Sequence, residues 1–104
     1  MSAPANPVRG EAALTVAGTP LTLRPSFAAL VAAEQELGPL FELIERAGAG
    51  KLSLGEVAAL FWHCLADRPD GVDRATLGEA LVEAGLAAVT PLLRGLLAQV
   101  LKGR

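Results

Sequence analysis

Hydrophobic residues alternate with smaller or polar ones near the start of the chain. A period of two residues places the apolar side chains on one face of a strand. The apolar positions of this kind are Leu14, Val16, Leu21 and Leu23. Ala17-Gly18 lies between the two pairs, although Ala stands where Asn or Asp would better tolerate positive φ. The pattern predicts a β-hairpin over about 11–24.

From Ser26 onward the apolar residues recur every three or four positions, which is typical of helices. Ser26 is placed to cap a first helix over about 27–37, and Gly38 is placed to end it. Pro39 can then open a short second helix, which ends near Gly48. The chain is therefore predicted to change from strand to helix within a few residues.

A capping box marks the start of a third helix. In Ser53–Glu56 (SLGE), the side chain of each terminal residue can accept a hydrogen bond from the backbone N–H of the other. The helix is predicted to begin at Leu54 and to end before the breaker at 68–71 (RPDG).

Two more helices are predicted in the remainder of the chain. Asp73 or Thr76 can cap the fourth helix, and Gly85 is placed to end it. The fifth helix follows almost at once, with Pro91 expected near its first turn, and runs to about Lys102.

These elements predict an α+β fold that is mainly α, with an N-terminal hairpin and a bundle of about five short helices. The chain has 104 residues, of which 52% are hydrophobic and 19% charged, as in a compact protein with one core. Residues 1–9 are expected to form a flexible tail. Residues 10–104 are expected to form a single domain, with its helical part over about 26–102.

The charge pattern argues against nucleic acid as a partner. The net charge is −2, and the nine basic residues are scattered along the chain without an evident basic stripe.

The longest uncharged runs, such as 12–23, fall short of the roughly 18 apolar residues that a membrane span needs. The start shows no signal-peptide core, and the single cysteine fits a reducing compartment. We therefore expect a cytoplasmic protein that does not enter a membrane.

The only Trp, the only His and the only Cys stand side by side at Trp62, His63 and Cys64. On a helix, successive side chains point about 100° apart, so these three cannot share a substrate or a metal ion. Zinc or a cysteine nucleophile would need partners that this chain lacks. His63 could instead contact Asp67 one turn later. We predict Trp62 at the edge of the core and three core residues, Phe61, Cys64 and Leu65.

Two further patterns superficially suggest ligand binding. Residues 48–53 (GAGKLS) resemble a phosphate-binding loop, but Glu45 replaces its first Gly and Leu52 replaces its Ser or Thr. The acidic loop 67–73 lies between two helices but lacks carboxylates at the first and last positions of a calcium loop. We therefore expect no cofactor and no metal, and no enzyme activity unless a partner supplies the chemistry.

Four glutamates, Glu34, Glu36, Glu42 and Glu45, form a mild acidic cluster on the first two helices. Solvated helix faces look the same, and no apolar surroundings are evident that would raise one pKa selectively. Glu42 and Arg46 are spaced to form a surface ion pair. We interpret the cluster as solvated surface.

The last helix carries more apolar residues than one helix in a small core usually buries. Leu93, Leu97 and Leu101 form one line along it, and Leu92, Leu96 and Val100 form the next. The stripe is either the centre of the core or, in part, a surface that binds another protein. These six residues and Trp62 are the candidate partner-binding residues.

The sequence resembles a family of small tail proteins of gene transfer agents and tailed phages or prophages of alphaproteobacteria. The resemblance extends over about 8–101 and rests on the order and spacing of four segments. They are Leu21–Leu30 (LTLRPSFAAL), Glu34–Gly38 (EQELG), Phe61–His63 (FWH) and Glu83–Leu86 (EAGL).

The resemblance implies a role in building a tail. Members are encoded between the tail tube and the tape measure protein, and they have been described both as tube components and as tail assembly chaperones. It implies the tape measure protein, the tail tube protein or both as partners, and a second copy of this chain is a further possibility. A chaperone in the host cytoplasm is the expectation we favour, because a tube subunit would be rich in strands. A structural tail component is the alternative. A small helical DNA-binding regulator is disfavoured by the missing basic face.

Overall fold

The computed structural model describes residues 12–16, 18–66, 68 and 70–102. They form two strands and five helices, which confirms the predicted fold class. The elements are β1 (Ala12–Val16), β2 (Thr19–Leu23), α1 (Phe27–Leu37), α2 (Leu40–Gly48), α3 (Leu54–Cys64), α4 (Arg74–Ala84) and α5 (Leu86–Lys102). The predicted tail over 1–9 lies outside the described residues.

The hairpin is antiparallel, with Leu14 opposite Leu21 and Val16 opposite Thr19. Gly18 has φ 80°, which a residue without Cβ adopts at little cost. Ala17, the other turn residue, lies outside the described residues. The four apolar residues of the alternating pattern are buried, as predicted.

The end of α3 holds the outer edge of β2. The N–H of Ala66 donates to the carbonyl of Thr22 at 2.9 Å, and the N–H of Arg24 donates to the carbonyl of Cys64 at 2.6 Å. Leu23 and Leu65 form an isolated antiparallel bridge between these bonds. The hairpin is thereby attached to the helical part of the molecule.

Side-chain caps define the starts of three helices. Ser26 Oγ accepts from the N–H of Ala29, and the capping box of Ser53 and Glu56 is complete in both directions. For α4 the structure selects Asp73, whose Oδ1 accepts from both the N–H and the hydroxyl of Thr76 at 2.8 Å. These bonds satisfy backbone donors that a helix start leaves unpaired.

Helix α5 begins earlier than Pro91 suggested. Gly85, with φ 87°, ends α4, and its carbonyl accepts from the N–H groups of Ala88 and Val89, so α5 starts at once. Pro91 is therefore inside the helix and not in its first turn. The hydroxyl of Thr90 donates to the carbonyl of Leu86 at 2.6 Å in the turn that precedes the proline.

The core is built around α3, which packs against α1 and α4. Phe61 is fully buried, and Cys64 and Leu65 are buried beside it, as predicted. Burial raises the pKa of the Cys64 thiol to about 12. The other large side chains of the core come from both strands, α4 and α5, and include Leu23, Leu77, Leu81 and Leu96.

No single helix in the described part of the chain is long and apolar enough to cross a membrane. Helices α4 and α5 reach that length and composition only as a pair, and the pair is bent by 115° at its junction.

Candidate functional site

The Trp-His-Cys segment lies on α3 with its side chains pointing apart. Cys64 faces the core, and Trp62 is partly buried at the core edge, where the guanidinium carbon of Arg68 stands 4.4 Å from its ring centre. The described residues include no group of three or more His, Cys, Asp or Glu side chains that could hold a metal ion. The segment forms no nucleophile pair.

His63 binds a carboxylate on another helix. Its Nε2 lies 2.8 Å from Oε1 of Glu36 on α1. The predicted partner, Asp67, lies outside the described residues. The contact with Glu36 joins residues 27 positions apart, so helical spacing gave no indication of it.

Glu36 is the centre of a surface cluster that links three helices. Arg74 on α4 donates two hydrogen bonds to its carboxylate, and His63 on α3 is the third member. These contacts, led by that of Arg74, lower the pKa of Glu36 from 4.5 to about 2. The carboxylate is solvated, as predicted, but it is also paired. Both carboxylate oxygens of Glu36 are bonded within the cluster, so we assign the cluster a structural role.

A second ion pair joins α2 to α3. Nη2 of Arg46 lies 2.6 Å from Oε2 of Glu56, the acidic residue of the capping box. The hydrogen bond from Arg46 is the main reason that the pKa of Glu56 falls to about 2. The predicted i,i+4 pair with Glu42 was therefore wrong as a contact, because Glu42 acts on Arg46 only through longer-range attraction. The fold places the carboxylate of Glu56, and not that of Glu42, in contact with Arg46.

Neither line of leucines on α5 is wholly buried. Leu96 and Leu97, one from each line, are in the core, while Leu92, Leu93 and Val100 are only partly buried. Leu101 is 60% exposed. Helix α5 contacts α4 and β1, and residues from both of its lines contribute to the core. The other apolar side chains of the two lines are only partly buried or are exposed.

Part of that remaining surface lines a groove between α5 and α2 of about 380 Å³. On the α2 side it is lined by Ile44, Ala47 and Gly48. On the α5 side it is lined by Thr90, Leu93, Arg94, Leu97, Ala98 and Leu101. Three of the sequence-predicted candidates, Leu93, Leu97 and Leu101, therefore lie in one groove, whereas Trp62 does not line it.

Two smaller hollows extend this groove at its ends. One of about 240 Å³ shares Ala47 and Leu93 with it and reaches the exposed side chains of Leu54 and Leu86. Another, of about 110 Å³, shares Ile44 and Leu101 with it and is lined by Leu40, Phe41 and Val100. The three together are called the α2–α5 groove. Its walls are apolar along most of their length, as in sites that bind a helix.

The α2 wall was missed by sequence reasoning. Phe41 is 77% exposed, and Ile44 is only partly buried. Both fit the apolar spacing of the predicted second helix, and nothing in that spacing indicates a surface role for either. The available signal was that α2 is short yet carries four large apolar residues, Leu40, Phe41, Leu43 and Ile44, of which only Leu43 is fully buried.

A family model described as phage tail tube protein, GTA-gp10, matches residues 9–103. No curated protein and no solved structure matches the chain.

Proposed function

We propose that this chain, which belongs to the GTA-gp10 family of phage tail tube proteins, acts in tail assembly as a chaperone that binds the tape measure protein. The observation that supports this role is the open α2–α5 groove. A chaperone for a long helical protein needs a surface that covers apolar helix faces until the tube encloses them.

The length of the groove suits a helix of about four turns. It follows α5 from Leu86 to Leu101, which at 1.5 Å per residue is about 22 Å, or four helical turns. An amphipathic helix would place apolar side chains every three or four positions along such a groove. Exposed apolar residues at both ends, Leu86 at one and Phe41 at the other, would add contact area to a partner that extends beyond it.

The secondary structure supports the same choice. A tube subunit is expected to be rich in strands, and the described residues contain one two-stranded sheet beside five helices. The family description nevertheless names a tail tube protein. A structural tail component is therefore the alternative function. In the chaperone role the protein would act in the host cytoplasm, with a second copy able to cover the groove before the tape measure protein arrives.

Two measurements test the proposal. Mature particles would be purified and examined for this protein by mass spectrometry. A chaperone is expected to be absent or far below the amount of tube subunits. A stoichiometric presence would establish the structural alternative.

The second measurement is co-purification with the tape measure protein encoded at the same locus. Ala98 is exposed and lines the groove, so Ala98→Glu introduces a charge there without disturbing the core. Ala88→Glu, also at an exposed position of α5 but outside the groove, is the matched control. We expect loss of co-purification for Ala98→Glu alone, with both variants folded by circular dichroism. Equal co-purification of both would contradict binding in the groove.

A further inference from the structure

Arg94 is an exposed arginine on an otherwise apolar groove, and it has no counterion among the residues that the structure describes. It is the one charged residue among the described residues that line the α2–α5 groove. Other arginines of the described part are engaged: Arg46 and Arg74 form ion pairs, and Arg68 bonds the carbonyl of Trp62. Arg94 has no hydrogen bond or ion pair with any described residue. Its side chain is exposed to solvent.

A ligand that covers the groove excludes solvent from this side chain. An arginine that loses its hydration without gaining an acceptor opposes binding. A carboxylate placed opposite Arg94 offsets this cost, because a guanidinium can donate two parallel hydrogen bonds to it. A lysine at the same place on the ligand would add repulsion to the lost hydration.

We propose that the α2–α5 groove selects an amphipathic helix whose apolar stripe is bordered on one flank by a carboxylate that pairs with Arg94. This inference rests on the proposed function and names the chemistry of its partner. The walls are unequal, because the α5 wall has Arg94 and the α2 wall, with Ile44, Ala47 and Gly48, has no charge among its described lining residues.

The inequality also sets the direction of the bound helix. Reversing a helix in a groove exchanges its two flanks while its apolar stripe stays down. An acidic flank that faces Arg94 in one direction would face the uncharged α2 wall in the other. The position of one arginine therefore favours one of the two directions for a partner with a single acidic flank.

The test uses the full-length protein and three synthetic peptides of about 15 residues, the length that spans the groove. They share a leucine stripe and carry Glu, Gln or Lys on one flank. Binding would be measured by fluorescence anisotropy at low and high salt. We expect the Glu peptide to bind about tenfold more tightly than the Gln peptide, and the Lys peptide most weakly. The differences are expected to shrink as salt rises.

Variants separate the role of Arg94 from that of the groove. Arg94→Gln is expected to abolish the preference for Glu, and Arg94→Glu to reverse it. Arg68→Gln, at an exposed arginine that does not line the groove, is the control and is expected to keep the preference. If the three peptides bind equally well and Ala98→Glu abolishes their binding, the role of Arg94 is overturned and the groove proposal stands.

Other outcomes overturn more. Peptide binding that Ala98→Glu does not weaken, or no binding of any of the three peptides, would contradict the groove as the binding site. If a wild-type dimer that Ala98→Glu converts to a monomer, seen by analytical ultracentrifugation, is not dissociated by the Glu peptide, a second copy would be the occupant and the proposed partner would be overturned.

Discussion

Glu36 on α1 and Arg74 on α4 form a two-point contact. Nη1 of Arg74 lies 2.6 Å from Oε2 of Glu36, and Nη2 lies 2.9 Å from Oε1. Parallel charge-assisted bonds of this kind fix the relative orientation of the groups that make them. The two residues are 38 positions apart in sequence, so the contact links helices that neighbour each other only in the folded chain.

The Glu36 contact predicts an acid-dependent stability difference. The pKa of Glu36 is about 2 in the folded protein and near 4.5 when unpaired. Because folding lowers this pKa, the ionised carboxylate stabilises the fold above about pH 4.5, and the contribution is lost as the pH falls toward 2. We expect Glu36→Gln to unfold at lower denaturant concentration than wild type at pH 7, and the two midpoints to converge near pH 2. The effect is expected to be modest because the pair is solvated. A difference independent of pH would contradict it.

The capping box predicts a stability loss at the start of α3. Ser53→Ala removes the acceptor for the N–H of Glu56 and is expected to lower the free energy of unfolding by about 1 kcal/mol, measured by urea denaturation. Ser26→Ala removes the cap of α1 and is the comparison variant, because Ser26 accepts one bond without the reciprocal bond of a capping box. An unchanged unfolding midpoint for Ser53→Ala would mean that this cap does not stabilise α3.

His63 is predicted to be dispensable for function. Within the described part of the chain its side chain hydrogen-bonds Glu36 and no other group, and Gln can supply a donor at a similar place. We expect His63→Gln to fold with near wild-type stability and to support tail assembly, counted as infectious or transducing particles. A folded variant that yields no particles would identify His63 as part of a functional surface.

Two leucines on α5 are predicted to differ sharply in how much they contribute to stability. Leu96 is 1% exposed, so Leu96→Ala is expected to cost about 2–5 kcal/mol through lost burial and a residual cavity. Leu101→Ala, at an exposed position of the groove, is expected to change stability by no more than about 0.5 kcal/mol. Leu101→Glu is expected to remain folded and to lose association with the tape measure protein. Thermal unfolding and co-purification check the two effects, and unfolding of Leu101→Glu would place that residue in the core.

The local elements followed from the sequence because their causes are local. A two-residue alternation defines the hairpin, and Ser26 and Ser53 cap donors only three residues away. The same reasoning showed that Trp62, His63 and Cys64 diverge. The sequence offered both Asp73 and Thr76 as the cap of α4. The structure shows that Asp73 is the cap, because its Oδ1 accepts from the N–H and the hydroxyl of Thr76.

Only the tertiary structure decided which residues meet across the fold. Arg46 pairs with Glu56 and not with Glu42, and His63 meets a carboxylate from α1. The groove has the same origin: the sequence indicated surplus leucines on α5, but its other wall, with Ile44, comes from α2. Spacing along a chain reports neighbours within a helix or hairpin. It carries no information on which faces pack together, because packing depends on the shape and charge of surfaces that exist only after the helices have formed.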